Sequence, residues 1–145
     1  MVAACSESAS PVMRTFDPCT PVMLFAPDAT EAQHAALEAA SASWHSVGVM
    51  APGDLGDDVL TITFATSAPE LFGFYDDTTA TIYLNITMTP SEVAVVAAHE
   101  LGHAFGLVHV PLAERGSVMN AGNLTIAPTG ADRVSVDAIW GACQD

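Results

Sequence analysis

The sequence predicts a single mixed α/β (α+β) domain, because helical and strand-like patterns alternate along a chain of 145 residues. Small apolar residues at helical spacing between positions 28 and 44 predict a long first helix. Alternating apolar and polar residues at 59–66, and again at 79–85, predict two strands. A chain of this length forms one domain that is large enough for a proper hydrophobic core.

The first half of the chain supplies the remaining elements of the predicted sheet and the start of the first helix. A short apolar run at residues 22–26 predicts the first strand. Asp28 precedes the first helix, and Glu31 follows three positions later, as in a capping box. Residues 73–77 contain glycine and aspartates, which predicts a turn-rich link between the second and third strands.

The best-marked helix begins near Thr89. Thr89 is the predicted N-cap, a proline follows it in the first turn, and Glu92 completes a capping box. Residues 93–98 are apolar on every side, which predicts a buried helix that holds the following residues rigidly. A shorter last helix is predicted at residues 134–141, with Ser135 as its cap.

A histidine motif directly follows the apolar segment of this helix. Residues 99–109 read His-Glu-Leu-Gly-His-Ala-Phe-Gly-Leu-Val-His, the pattern H-E-x-x-H-x-x-G-x-x-H. His99 and His103 are four residues apart, so their imidazoles project from one helix face. Gly106 permits the turn that ends the helix and returns His109 as a third ligand. Three neutral imidazoles leave one tetrahedral position of a zinc ion open, which is typical of catalytic sites.

Glu100 is the predicted general base of this site. It follows the first ligand and cannot comfortably join the same coordination plane, but it can reach a zinc-bound water. The sequence therefore predicts one catalytic zinc ion and a hydrolytic reaction in which Glu100 activates that water. Two alternatives stay open, namely three unrelated buried histidines and a catalytically silent zinc-binding module. Glu100 argues against the silent module.

A second motif, Ser-Val-Met-Asn at residues 117–120, places Met119 ten positions beyond His109. Together the two motifs resemble those of the metzincin zinc peptidases, whose signature is the extended zinc motif followed by a Met-turn. Within that group the chain is most similar to small bacterial relatives of the matrixins. The likeness spans residues 22–141 and is carried mainly by residues 79–119, where a strand runs directly into the zinc helix and the gap to Met119 is short.

The resemblance implies a fold and a reaction. The fold would be a twisted, mostly parallel sheet with one antiparallel edge strand, a long first helix, a buried active-site helix and a short C-terminal helix. The reaction would be endopeptide hydrolysis by Glu100 and a zinc ion held by His99, His103 and His109, with Met119 in the Met-turn.

The resemblance also implies where an extended substrate would bind. Residues 79–85 would be the edge strand, and the substrate would add to it as a further antiparallel strand. Thr81, Ile82 and Tyr83 would then contact the substrate. Asn120 stands where the family usually has a tyrosine, at the primary specificity pocket.

The three cysteines predict an exported protein. Cys19 and Cys143 are predicted to form a disulfide that closes nearly the whole domain. Residues 2–5, Val-Ala-Ala-Cys, resemble a bacterial lipobox and predict lipidation of Cys5, with a free thiol as the alternative. Residues 1–20 are thus expected to be a tail and tether, and residues 21–145 the catalytic domain.

The charge of the chain restricts its partners. The chain has seventeen acidic and three basic residues, and its net charge of −14 argues against nucleic acid or anionic lipid as a partner. We expect a monomer that binds a peptide or protein substrate and contacts a membrane only through a lipid anchor. Some clustered aspartates would suit calcium, but no calcium-loop spacing is recognisable, so they are interpreted as solvated turn residues. They are Asp54, Asp57, Asp58, Asp76 and Asp77.

Overall fold

A four-stranded mixed sheet and three helices make up the described part of the chain, which in the computed structural model covers residues 15–19, 22–44, 59–66 and 71–143. The elements in chain order are β1 (Met23–Phe25), α1 (Glu31–Ser43), β2 (Val59–Ala65), β3 (Gly73–Asp76), β4 (Thr81–Asn85), α2 (Pro90–Ala104) and α3 (Gly130–Trp140). The sheet order is β1-β2-β4-β3, with β1, β2 and β4 parallel and β3 antiparallel to β4.

The sheet topology corrects two predictions about the strands. The segment 73–77, predicted as a link, contains β3, because Phe74 and Tyr75 pair with residues of β4 despite the turn-forming residues beside them. The prediction that residues 79–85 form the sheet edge was wrong, since β4 is paired with β2 on one side and with β3 on the other. The antiparallel edge strand of the sheet is β3.

The hydrophobic core lies between the sheet and the two long helices. α1 packs against α2, and α2 in turn contacts β3 and β4. Val93, Val96, Ala97 and Ala98 are buried as the apolar run predicted, whereas the two remaining residues of that run are half-buried. The largest fully buried aliphatic side chains are Leu37, Leu60, Ile82 and Leu84. α2 therefore crosses the interior, and its C-terminal residues are fixed by packing.

α2 begins as the sequence predicts, with Thr89 as its N-cap. The N–H of Thr89 donates to Oε1 of Glu92 at 2.9 Å, and the N–H of Glu92 donates to Oγ1 of Thr89 at 3.3 Å. This reciprocal pair satisfies two backbone donors that a helix end otherwise leaves without partners. The capping box is confirmed.

The other two helices begin elsewhere than predicted. α1 is capped by Thr30 with Gln33 and not by Asp28 with Glu31, because a turn from Ala26 to Ala29 precedes it. α3 begins at Gly130, capped by Thr129 with Asp132, more than one turn before the predicted cap Ser135. The hydroxyl of Ser135 instead donates to the Ala131 carbonyl inside the helix, at 3.0 Å. In both helices the capping box is formed by a threonine and by the residue three positions after it, whose side chain accepts from the backbone N–H of the threonine.

A disulfide joins the two ends of the described chain. Cys19 and Cys143 are bonded, with their Cα atoms 5.1 Å apart, as the sequence predicts. The bond agrees with an oxidising environment outside the cytosol. Cys5 and the lipobox lie outside the described residues. Among the described helices, none is long and apolar enough to span a bilayer.

Candidate metal centre

Three histidines converge at the end of α2. One ring nitrogen from each of His99, His103 and His109 lies within 4.8 Å of the others. His99 is fully buried, and the other two are half-buried. The ring centroids are 4.9–5.3 Å apart. The structure thus brings together the three side chains that the sequence predicts as ligands.

A glycine turn after α2 places the third histidine. Gly106 has φ of +101°, a conformation that residues with a Cβ rarely adopt. The N–H of Gly106 donates to the His103 carbonyl, and the N–H of Leu107 donates to the Gly102 carbonyl, both at 2.9 Å. These two bonds are the Schellman motif, which ends the helix and reverses the chain. His109 therefore faces the two histidines of α2.

Backbone carbonyls fix the orientation of the first two rings. Nδ1 of His99 lies 2.6 Å from the Val118 carbonyl oxygen, and Nδ1 of His103 lies 2.8 Å from the Leu107 carbonyl oxygen. A carbonyl can only accept, so each Nδ1 carries the proton and each Nε2 keeps its lone pair for a metal. The donor set fits a zinc ion.

The same two histidines are held neutral, which metal binding requires. Burial, reinforced by repulsion from His103, lowers the pKa of His99 to about 3. Burial also lowers the pKa of His103 to about 4. Neither ring has to lose a proton to bind a metal at neutral pH.

Glu100 lies beside this cluster and is fully buried. Neither carboxylate oxygen makes a hydrogen bond of normal geometry with a described residue. Burial raises the pKa of this carboxyl well above its usual value, while the nearby backbone N–H of Tyr75 acts in the opposite direction. A buried carboxyl group without a hydrogen bond of normal geometry is costly in a protein core, so this geometry favours an interaction of Glu100 with a bound molecule.

The edge strand β3 lies directly against Glu100. A Cβ at Gly73 would stand 2.8 Å from Cγ1 of Val96 and 3.1 Å from Oε2 of Glu100. Only glycine therefore allows the strand to approach the carboxylate this closely. This role of Gly73 was not predicted from the sequence, because the residue was interpreted as part of a turn.

Met119, the residue of the predicted Met-turn, is buried against Gly102 of α2. It is 1% exposed, and its thioether contacts Gly102, the residue directly before His103. A Cβ at residue 102 would also stand 3.2 Å from the Trp44 ring. Trp44 itself donates from Nε1 to the Ala98 carbonyl at 2.8 Å. Sequence reasoning did not find Gly102 or Trp44, although the glycine inside a predicted helix was a usable signal.

The predicted substrate contacts on β4 occupy different environments. Thr81 and Ile82 are buried. Tyr83 is 38% exposed and stacks on Phe74 of β3, with ring centroids 6.3 Å apart. Because both edges of β4 are already paired, a substrate strand cannot add to its backbone. Contact between substrate and these three side chains stays a prediction.

Asn120 makes several hydrogen bonds within the segment that contains Met119. Its amide nitrogen donates to the carbonyls of Val110 and Arg115 at 2.8 and 3.1 Å. Its oxygen accepts from the N–H of Ser117 at 2.8 Å. Asn120 is 5% exposed, so its polar atoms are used within the turn. Its predicted place at a specificity pocket remains a prediction.

The aspartates considered for calcium fall in two places. Asp76 accepts from the N–H and the hydroxyl of Thr78 at 3.0 and 2.6 Å, and the hydroxyl bond contributes most to lowering the pKa of its carboxyl. This pattern is a turn of the kind that aspartate commonly forms. Asp54, Asp57 and Asp58 lie outside the described residues.

Comparison with known proteins supports the fold. No protein-family model matches the sequence, and no curated protein matches it either. The fold is similar to the crystal structure of myroilysin, with a TM-score of 0.67 and 13% sequence identity. The match covers 97% of this chain and 92% of that chain. The predicted mixed α/β architecture is thus confirmed, and the histidine cluster is compatible with the zinc motif that the sequence predicts.

Proposed function

We propose that this chain is a zinc-dependent endopeptidase of the metzincin type, related to the matrixins. One observation carries the proposal: three imidazoles that are placed to hold a metal ion converge next to the fully buried Glu100, whose oxygens make no hydrogen bond of normal geometry with a described residue. Three nitrogen ligands and one adjacent carboxylate are the components of a hydrolytic zinc site. The resemblance of the two sequence motifs to metzincins and the likeness of the fold support the same conclusion.

The zinc ion would be held through Nε2 of His99 and His103, together with His109. A bound zinc ion supplies Lewis acidity, which polarises a carbonyl and makes water more acidic. Glu100 accepts the proton of the attacking water and later gives it to the leaving amine. Its two oxygens are available for this exchange because neither makes a hydrogen bond of normal geometry with a described residue.

The substrate would be an extended stretch of polypeptide that adds to the outer edge of β3. β3 is one of the two edge strands among the described residues, and an edge strand offers backbone N–H and C=O groups to a further strand. Gly73 and Tyr75 of β3 lie against Glu100, so a peptide paired with this strand passes close to the base. β3 thereby takes the role that was predicted for residues 79–85.

An assay of casein or gelatin cleavage tests the proposal. The zinc-loaded protein should cleave the substrate, a chelator should stop the cleavage, and added zinc should restore it. A silent zinc-binding module would bind zinc but would cleave no peptide of a random library, as read by mass spectrometry.

Location outside the cell agrees with the disulfide, and lipidation of Cys5 is proposed from the lipobox alone.

A further inference from the structure

A continuous chain of hydrogen bonds leads from His99 to a buried carboxylate. Nδ1–H of His99 donates to the Val118 carbonyl at 2.6 Å. On the other side of the same peptide group, the N–H of Met119 donates to Oγ of Ser117 at 2.9 Å. The Ser117 hydroxyl then donates to Oδ1 of Asp132 at 2.5 Å. All five residues are at most 1% exposed, so water does not compete with the chain.

The carboxylate at the end of this chain carries a negative charge. Besides Ser117, Oδ1 accepts from Arg115 at 2.7 Å. Oδ2 accepts from the N–H groups of Val118 and Thr129, both at 3.0 Å. Burial by itself raises the pKa of Asp132, but the hydrogen bonds to the carboxylate outweigh it, and the pKa is lowered. Asp132 is therefore ionised at neutral pH.

We propose that Asp132 and Ser117 are positioning residues for His99, the first ligand of the zinc site. A negative charge at one end of a hydrogen-bond chain polarises each group along it. The Ser117 oxygen becomes a stronger acceptor for Met119, and the Val118 carbonyl becomes a stronger acceptor for the imidazole. This holds the proton on Nδ1, fixes the ring and makes Nε2 a better metal ligand. The inference rests on the proposed zinc binding.

His103 provides an internal comparison. Its Nδ1 donates to the Leu107 carbonyl, which lies in the turn directly after α2. That contact belongs to the Schellman turn and does not include the peptide between Val118 and Met119. A change at Ser117 should therefore alter the ring of His99 and leave the ring of His103 as it is.

Three variants test the inference. Ser117→Ala removes the hydroxyl that links the peptide to the carboxylate, and Asp132→Asn removes the negative charge. Thr129→Ala is the matched control, because it removes the capping hydroxyl that accepts from the N–H of Asp132 at 3.1 Å and leaves the carboxylate bonds in place. All three should lower the Tm, the control by a few degrees through loss of the cap.

Two measurements on the folded proteins separate positioning from stability. We expect Ser117→Ala to raise the zinc Kd about 10-fold and Asp132→Asn about 10- to 100-fold, with Thr129→Ala within about two-fold of the unmodified chain. In the zinc-free protein, imidazole ¹⁵N chemical shifts should report Nδ1–H for His99 in the unmodified chain. In Ser117→Ala they should show a mixture of tautomers at His99 and no change at His103.

Each outcome decides the question. An unchanged zinc Kd together with an unchanged His99 tautomer in Ser117→Ala would overturn the inference, whatever its Tm. If Asp132→Asn does not fold, the comparison of Ser117→Ala with Thr129→Ala is decisive. If the unmodified chain binds no zinc, the proposed function fails, and the tautomer measurement alone decides whether Ser117 positions His99.

Discussion

The thioether of Met119 occupies the space in which a Cβ of Gly102 would stand. Gly102 lies in α2 between the first two histidines, so the turn that carries Met119 packs directly on the helix that carries the proposed ligands. A glycine inside a helix normally costs about 0.5–1 kcal/mol relative to alanine. Here the glycine allows a close contact between the Met119 segment and the helix that carries His99 and His103.

The first prediction follows from this contact. Gly102→Ala should lower the free energy of unfolding by about 1–3 kcal/mol, because the added methyl overpacks the core against Met119 and Trp44. Urea unfolding of the zinc-free protein measures the change. Gly130→Ala is the matched control, since no atom lies within 4 Å of a Cβ at that position. A Gly102→Ala protein as stable as the control would contradict the packing described.

The second prediction concerns the approach of β3 to Glu100. Gly73→Ala should reduce kcat/KM on a cleaved peptide by about 10- to 100-fold, because the methyl group displaces the carboxylate or the strand, and misplacement by about 1 Å has effects of that size. Zinc content should be unchanged. Gly116→Ala serves as the control, because its Cβ would meet Ile126 at an ordinary distance of 3.5 Å. Equal activities of the two variants would show that Gly73 does not set the position of Glu100.

The third prediction concerns the disulfide. Cys19 and Cys143 are 124 residues apart in sequence, and on the chain-entropy model their bond contributes up to about 5 kcal/mol of stability. A protein with both residues replaced by serine should therefore unfold at a markedly lower urea concentration. Cys5→Ser should have no such effect. Peptide mapping that links Cys5 to either partner would contradict the assignment.

The fourth prediction is a pH dependence at Asp132. Its folded-state pKa lies below the ordinary value of 3.8, so the ionised carboxylate contributes stability above that value and loses it as the pH falls through the lowered pKa. The unmodified chain should be more stable than Asp132→Asn at neutral pH, and the difference should shrink below about pH 4. Urea unfolding of the zinc-free proteins at several pH values measures it. A difference that does not vary with pH would mean that Asp132 is not ionised in the folded chain.

The local parts of the candidate site could be predicted from the sequence. The spacing of His99 and His103 on a helix is fixed by helix geometry, and the Thr89 box and the glycine turn depend only on neighbouring residues. The position of β3 could not be predicted, because its turn-forming residues become a strand only when they pair with β4. The role of Asp132 could not be predicted for a similar reason, since Asp132 lies in α3, 15 positions after the Ser117 that it contacts.

Replacement of Glu100 tests the central claim most directly. Glu100→Ala keeps all three imidazoles, so the variant should hold about one zinc ion per chain, as the unmodified protein should. Its kcat/KM on a cleaved peptide should fall by about 10⁴-fold or more, because one residue serves both proton transfers and each such contribution is typically 10²–10⁴-fold. The kcat/KM of Glu100→Asp should be nearly as low, since the aspartate side chain is one methylene shorter and draws the carboxylate back from the water. A zinc-loaded Glu100→Ala protein that keeps a tenth or more of the unmodified kcat/KM would contradict the account.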